Sequence, residues 1–255
     1  MFKAFRVTIL LFILALVAGV TWMTKHRALS WDSTLDVVIY PINADKSDVT
    51  RAYLATLRTD TFEPIGTMML EEARRHGMTR NAPVRVWLAP EVDAMPPAPV
   101  PDAKLFSIMT WSLKLRYWAW RHDRFDRTKP NIRLFALFHD PARRSVLAHS
   151  QGLEKGMLGV ANVFAEVLQE GGNNVVLAHE MLHTLGATDK YDPRTTLPQF
   201  PDGFAEPQKS PRFPQAFAEL MGGRIPVSDS RAEIPDDLSQ CRVGTATARE
   251  LKWLK

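Results

Sequence analysis

The chain has 255 residues, of which 45% are hydrophobic and 24% charged, so it can form one packed domain with an appendage and is not disordered throughout. The net charge of +4 is spread along the sequence and gives only weak support to binding of a polyanion or an anionic membrane. The single cysteine, Cys241, excludes a disulfide bond within the chain, and we expect it to be buried as a small apolar residue.

An uncharged apolar run, from Val7 to Met23, follows two basic residues at the amino end of the sequence. As a helix this run would extend about 25 Å, close to the thickness of a bilayer core. We predict an uncleaved transmembrane anchor within residues 1–30, with a cleaved signal peptide as the alternative, followed by a single domain at residues 31–255. The basic amino end places this domain on the periplasmic or extracellular side of the membrane.

The remaining sequence alternates between strand-like and helix-like patterns. Strands are predicted at residues 35–42, 84–89, 132–138, 145–150 and 156–165. Helices are predicted at residues 48–76, with a break near Pro64 and an end at Gly77, and at residues 104–122. This order predicts an α+β fold with a mixed sheet, not a regular series of parallel strands and helices.

The predicted helix at residues 104–122 has apolar side chains around most of its circumference. Basic and aromatic residues alternate along and just beyond it: Arg116, Tyr117, Trp118, Trp120, Arg121, Arg124, Phe125 and Arg127. One interpretation is a helix packed on both sides, and the other is a helix that faces a membrane or a protein partner. Such a mixture would also suit single-stranded nucleic acid, but no recognisable nucleic-acid-binding module is present and no nucleic acid is expected as a partner.

The sequence HEMLHTLGATD, residues 179–189, carries the side chains with the clearest chemistry. We predict that its helix is capped by Asn173 or Asn174 and ends at Gly186 in the left-handed conformation. His179 and His183 are four residues apart, so both imidazoles project from the same side of the helix. Two imidazoles at this spacing, with a glutamate directly after the first, are typical of a hydrolytic zinc site.

This interpretation gives each side chain a role. His179 and His183 bind zinc, and Asp189 returns to the metal as the third ligand after Gly186 has reversed the chain. The fourth position stays open for water, from which Glu180 takes a proton that it later delivers to the leaving amine. The alternatives are a polar helix with coincidental histidines and a zinc site without catalysis, and the presence of the glutamate counts against the second.

The motif resembles that of the zincin metallopeptidases, specifically the metzincins, whose pattern is H-E-x-x-H-x-x-G-x-x-H/D. Its positions are occupied here by His179, Glu180, His183, Gly186 and Asp189, with aspartate last as in the snapalysin type. The resemblance implies a five-stranded sheet whose edge strand runs above the active-site helix, and a methionine turn beneath the metal, for which Met221 is the candidate. It also implies a zinc metalloendopeptidase that acts on peptide or protein substrates.

Some features depart from the metzincin pattern. Most metzincins have histidine as the last ligand, and aspartate makes the site less positive and the bound water less acidic. Gly223 stands where a tyrosine often follows the turn methionine, with Tyr191 as a candidate substitute or a structural residue. Glu219 is a rival third ligand, downstream of the motif as in the thermolysin-like branch, although the spacing from Gly186 favours Asp189.

Other residues have proposed roles near this site. The proline-rich segment between Asp189 and Met221 is expected to form a stiff wall of the substrate pocket, and the strand at residues 156–165 is expected to be the edge to which an extended peptide adds. His139 and His149 are candidate ligands or substrate contacts, with core or surface positions as the alternative.

At the carboxyl end, Thr247 and Glu250 predict a capping box that begins a short structural helix.

Two further functions are compatible with the predicted zinc-site residues. One is a non-catalytic envelope protein that keeps zinc for folding and binds partners through its aromatic helix. The other is a zinc hydrolase of a non-peptide amide, such as a cell-wall component.

Overall fold

The computed structural model describes residues 23–79, 82–98, 105–144, 146–147, 151–153 and 157–254, together with Phe12 and Gly19. Most of the predicted membrane anchor, and His149, lie outside these described residues. Within them, no helix combines the length and the apolar character that a membrane crossing requires.

A five-stranded sheet forms the centre of the fold. Its strands are β1 (Leu35–Asn43), β2 (Val84–Leu88), β3 (Ile132–His139), β4 (Gln151–Leu153) and β5 (Leu158–Phe164). Their order is β2-β1-β3-β5-β4, with parallel pairing from β2 to β5 and antiparallel pairing between β5 and β4. The chain therefore has a mixed α/β fold built on a largely parallel sheet.

The four long strands confirm the sequence prediction to within two residues at each end. β1 and β3 are buried along nearly their whole length, which explains their continuous apolar sequences. A strand was predicted at residues 145–150, but residues 146 and 147, the ones described there, are not in a strand. The strand that precedes β5 is β4, a few residues later. The prediction that β5 is an edge strand is also wrong, because β4 pairs with its outer side. The sequence did not indicate β4, because a strand of three residues is too short to give a clear pattern.

Helices cover both faces of the sheet. They are α1 (Asp48–Leu54), α2 (Glu63–Arg75), α3 (Leu105–His122), α4 (Glu170–Leu185) and α5 (Thr245–Glu250). The predicted break near Pro64 is confirmed: Pro64 lies in the first turn of α2, where the amide hydrogen that proline lacks has no helical partner. Gly77, with φ of +85°, follows the end of α2 as predicted.

Two apolar clusters lie on opposite faces of the sheet. The larger cluster joins α1, α2, α4 and α5 with residues 28–31, and the smaller one joins the sheet to α3. In the larger cluster, Trp31 donates a hydrogen bond from Nε1 to Leu251 O at 2.7 Å and packs against Trp253. Cys241 is buried in the same cluster, as expected.

Four short strands complete the fold after α4. β6 (Ala218–Glu219) pairs in parallel with β9 (Cys241–Arg242), and β7 (Ile225–Pro226) pairs in antiparallel with β8 (Ala232–Glu233). They arrange the segment after the proline-rich region so that it returns to α4, where the histidines lie.

The predicted asparagine cap of α4 is wrong, because the helix begins earlier, at Glu170. Asn173 instead binds the end of β5, accepting from Phe164 N at 2.9 Å and donating to Phe164 O at 2.8 Å. Asn174 donates to Thr61 O at 2.8 Å. Both side chains therefore fix α4 against neighbouring segments, which the local sequence does not reveal.

Two adjacent glycines at the start of α4 are expected to respond in opposite ways to alanine. Gly171→Ala would place a methyl group 2.4 Å from Asp236 O and 2.9 Å from Asp237 Cβ, so a loss of about 1–3 kcal/mol in the free energy of unfolding is expected. Gly172→Ala is the matched control, since its added Cβ meets only Gln169 Oε1, at 3.8 Å. It should gain about 0.5–1 kcal/mol. Urea unfolding measures both, and a shift of the same sign in the two variants would contradict the packing described.

Candidate metal centre

Helix α4 and the turn after it position the motif residues. The predicted buried stripe is confirmed, since Val175, Ala178, Leu182 and Leu185 are all buried. Gly186 ends the helix with φ of +103°, in the left-handed region, as predicted. Its amide donates to His183 O at 3.0 Å, and the chain then reverses so that Asp189 comes back towards the helix.

Three side chains meet at this point. His179 Nε2 and His183 Nε2 each lie 3.1 Å from Asp189 Oδ1. The two imidazole rings are 4.6 Å apart between centroids and nearly perpendicular, at 84°. The histidines are largely buried, whereas 43% of the Asp189 side chain is exposed, so the cluster opens to solvent on the Asp189 side. The structure thus brings together the three residues predicted as ligands.

Backbone carbonyl groups fix the orientation of both imidazoles. His179 Nδ1 lies 2.9 Å from Leu220 O, and His183 Nδ1 lies 2.8 Å from Ala187 O. Because a carbonyl oxygen can only accept, each Nδ1 carries the hydrogen and donates it. A neutral ring then presents the lone pair of Nε2 towards Asp189, which is the tautomer that metal-binding histidines adopt.

The three converging atoms are electron-pair donors, so they repel one another unless positive charge lies among them. Protons on the imidazoles are one source of that charge. Burial acts to lower the pKa of His183, but its hydrogen bond to Asp189 and the charge of Glu180 raise it overall. Burial acts to raise the pKa of Asp189, but hydrogen bonds from both histidines lower it overall. A single divalent cation would supply the same charge in place of the protons, and the donor set therefore fits a metal ion.

Glu180 lies beside this cluster in a buried position. One ligand atom from each of His179, Glu180 and His183 lies within 4.8 Å of the others. Glu180 Oε2 is buried and accepts no hydrogen bond from the described residues. Burial raises the pKa of Glu180, the charge of Asp189 adds to the rise, and the two histidines oppose it. A buried carboxylate oxygen with free acceptor capacity can take a proton from a group bound at the cluster.

The turn after β6 supports the cluster through its backbone. Leu220 O accepts the hydrogen bond from His179, and Met221 O accepts one from Lys190 N at 2.9 Å. Met221 itself is fully buried. Two adjacent carbonyl groups of the turn therefore hold His179 on one side and the residue after Asp189 on the other.

Glu219, the rival third ligand, is fully buried with its carboxylate bound elsewhere. Its Oε2 accepts from Gly222 N at 2.8 Å, and its Oε1 accepts from Gly244 N at 3.0 Å and from Thr247 Oγ1 at 2.7 Å. These bonds connect the turn to the start of α5. The structure places Asp189, and not Glu219, against the histidines.

Lys190 is a supporting residue that the sequence analysis missed. Its side chain is largely buried, and Nζ donates to both carboxylate oxygens of Glu250, at 2.9 Å each, and to Thr188 O at 2.8 Å. The predicted capping box is wrong, because both of its side chains bind elsewhere. Glu250 binds Lys190 and Thr188, and Thr247 binds Glu219. The ion pair joins the segment that carries Asp189 to α5, and no local pattern indicates a partner 60 residues away.

Tyr191 lies on the exposed side of the cluster. Its ring centroid is 6.4 Å from that of His179. Burial and the charges of Asp189 and Glu180 raise its pKa. Gly223 has φ of +73°, and a Cβ atom there would lie 4.0 Å from Tyr191 Cδ1. The ring of Tyr191 therefore lies next to Gly223.

The proline-rich segment packs against the residues that follow Asp189. Tyr191 forms an isolated bridge with Pro198, and Gln199 N donates to Lys190 O at 2.7 Å. Gly203 approaches the same carbonyl so closely that a Cβ atom would lie 2.1 Å from it.

His139 is buried and bonded to Asn162 Oδ1 at 2.9 Å, which agrees with the alternative of a core position.

Comparison with known proteins adds no relative to this description. No protein-family model matches the chain, and no curated protein matches it. The motif and the geometry of the cluster formed by His179, Glu180, His183 and Asp189 are therefore the features that indicate a function.

Proposed function

We propose that the protein is a zinc-dependent metallopeptidase of the zincin class, with His179, His183 and Asp189 as the zinc ligands. The observation that carries this proposal is the approach of both Nε2 atoms to one Asp189 oxygen, at 3.1 Å each, while both Nδ1 hydrogens are bound by carbonyl groups. Tetrahedral zinc with ligand bonds of about 2.0–2.1 Å places its ligand atoms about 3.3 Å apart, close to the separations found here.

The fold supports the resemblance to metzincins. The sheet has five strands, its edge strand β4 is antiparallel to β5, and α4 packs against both strands. The backbone of the turn at Met221 contacts both His179 and Lys190. Of these features, the five strands, the edge strand beside the active-site helix and the methionine turn are the ones that the resemblance implies.

A bound zinc ion supplies electrophilic activation of a water molecule and of a scissile carbonyl group. His179 and His183 present Nε2 in a fixed orientation because their Nδ1 atoms are bound to carbonyl groups. Glu180 accepts a proton at its unoccupied Oε2 and returns it to the leaving amine.

The proposed substrate is an extended peptide or an unfolded part of a protein. β4 is the edge strand on the side of α4, and an extended peptide can add to such an edge through backbone hydrogen bonds. The exposed side of Asp189 leaves access to the cluster from solvent. The apolar run at residues 7–23 supports the further proposal of a membrane-anchored enzyme whose domain lies on the periplasmic or extracellular side.

The test uses the full chain, purified in mild detergent, with its metal content measured and a broad peptide library as substrate. We expect about one zinc ion per chain, hydrolysis that stops when a chelator removes the metal, and recovery when zinc is added back. Hydrolysis that persists in the metal-free protein would overturn the proposal. A zinc-loaded protein that cleaves cell-wall amides but no peptide would replace it with the non-peptide alternative.

A further inference from the structure

Helix α3 packs on the sheet with one side and exposes apolar side chains on the other. Leu115 and Ala119 are buried in the smaller apolar cluster, and Trp111 and Trp118 pack beside them. The opposite side carries an outer stripe of large apolar residues: Met109, Leu113, Tyr117 and Trp120. Their exposed fractions rise from 52% at Met109 to 71% at Trp120, and residues three and four apart share one face of a helix. No described residue covers this stripe.

Every charged side chain of α3 is basic. Lys114 and Arg121 are both exposed and are seven residues apart, so they lie on the same side, along one border of the outer stripe. Arg116 is half-buried and lies along the other border. Arg124, also exposed, extends the basic character beyond the end of the helix. The outer stripe is therefore an apolar surface with cationic margins.

We infer that the outer stripe of α3 lies on an anionic lipid surface, with the helix axis parallel to the membrane plane. Leu113 and Met109 enter the boundary between headgroups and acyl chains, and the rings of Tyr117 and Trp120 lie at the level of the headgroups. Lys114 and Arg121 contact the anionic headgroups at the margin. This arrangement, with apolar and aromatic residues between basic ones, is typical of helices that lie in the membrane interface.

The size and charge of the stripe favour lipid over a protein partner. Four side chains of this kind offer roughly 500 Å² of contact, whereas a stable protein interface buries about 800 Å² on each partner. A second copy of the chain would bring one basic margin against another, and like charges repel. An anionic lipid surface requires no minimum contact area of this kind, and its negative charge attracts the basic margins instead of repelling them.

The position of α3 in the fold is compatible with both membrane contact and access to the metal centre. α3 covers one face of the sheet, and α4, which carries His179 and His183, packs on the opposite face. Contact through the outer stripe would therefore turn the metal-binding helix away from the lipid. The inference stands on α3 alone and does not require the proposed peptidase activity.

The test places a fluorescent label on the stripe of the full chain, reconstituted into vesicles with or without phosphatidylglycerol. Tyr117→Cys provides the labelling site, since the native Cys241 is buried. Val49→Cys is the matched control, because Val49 is an apolar residue of α1 that is 54% exposed on the other side of the sheet. We expect brominated lipid to quench the label at position 117 in phosphatidylglycerol vesicles, and aqueous iodide to quench the label at position 49.

Charge reversal tests the role of the basic margin. Adding Lys114→Glu and Arg121→Glu to the Tyr117→Cys variant should lower the ratio of lipid-facing to water-facing label by at least about 25-fold, since the loss of each cation near an anionic surface removes about a fivefold factor and the added carboxylates are repelled. Lipid quenching that is unchanged by the reversals overturns the inference, as does equal quenching by iodide at positions 117 and 49. Leu113→Cys repeats the measurement at a second site.

Discussion

Glu180→Gln is expected to reduce peptide hydrolysis by about 10²–10⁴-fold while the metal content stays at the level of the unchanged protein. The side chains have nearly the same shape, but the amide cannot accept the proton that the carboxylate takes. The carboxylate is buried beside the histidines with Oε2 unoccupied, so the substitution removes proton transfer without removing a hydrogen bond at that atom. The values of kcat/KM on a cleaved library peptide and the zinc content of the purified variant test both parts.

Glu170→Gln is the matched control for this experiment. Glu170 is the first residue of α4, about 15 Å along the helix from Glu180, and the change in chemistry is the same. Its kcat/KM should stay within about twofold of the unchanged protein, because it touches no reacting group. If the unchanged protein hydrolyses no library peptide and Glu180→Gln affects only folding or assembly, the non-catalytic alternative replaces the peptidase.

Asp189→Ala is expected to weaken zinc binding by more than about 100-fold, because it removes one of three protein ligands, and loss of even an outer partner costs 10–100-fold. The measurement is a zinc titration in competition with a chromophoric chelator. Thermal unfolding with and without zinc gives a second readout, since a ligand that binds only the folded state raises Tm by more when its affinity is higher. The unchanged protein should gain thermal stability on zinc addition, and the variant should gain little.

Glu219→Gln provides the contrasting result. Its carboxylate accepts three hydrogen bonds from Gly222, Gly244 and Thr247, and an amide group can accept only part of them. We expect a loss of about 1–3 kcal/mol in the free energy of unfolding, with zinc affinity of the folded variant changed only a few fold. A variant pair in which Glu219→Gln loses zinc and Asp189→Ala keeps it would assign the third ligand to Glu219.

The sequence predicted those parts of the site that depend on local geometry. His179 and His183 share a helix face because they are four residues apart, and Gly186 reverses the chain because glycine readily adopts positive φ. The buried strands β1 and β3 were equally predictable from their continuous apolar sequences. In each case the signal and the structural consequence lie within a few residues of one another.

Several wrong predictions concern polar side chains whose partners lie outside the local segment. Asn173 and Asn174 have the residue type of a helix cap, but β5 and the segment at Thr61 bind their side chains instead. Thr247 and Glu250 have the spacing of a capping box, but Glu219 and Lys190 bind them. A local pattern identifies polar groups that need partners, and tertiary packing determines which partners they find.

The ion pair between Lys190 and Glu250 has a consequence for biosynthesis. The two histidines leave the ribosome before Leu220, which orients one imidazole, and well before Glu250, which anchors the residue next to Asp189. A partly synthesised chain therefore contains the whole motif but lacks the groups that hold it in place. The proposed peptidase activity would then begin only after α5 has docked, and the growing polypeptide would not be exposed to it.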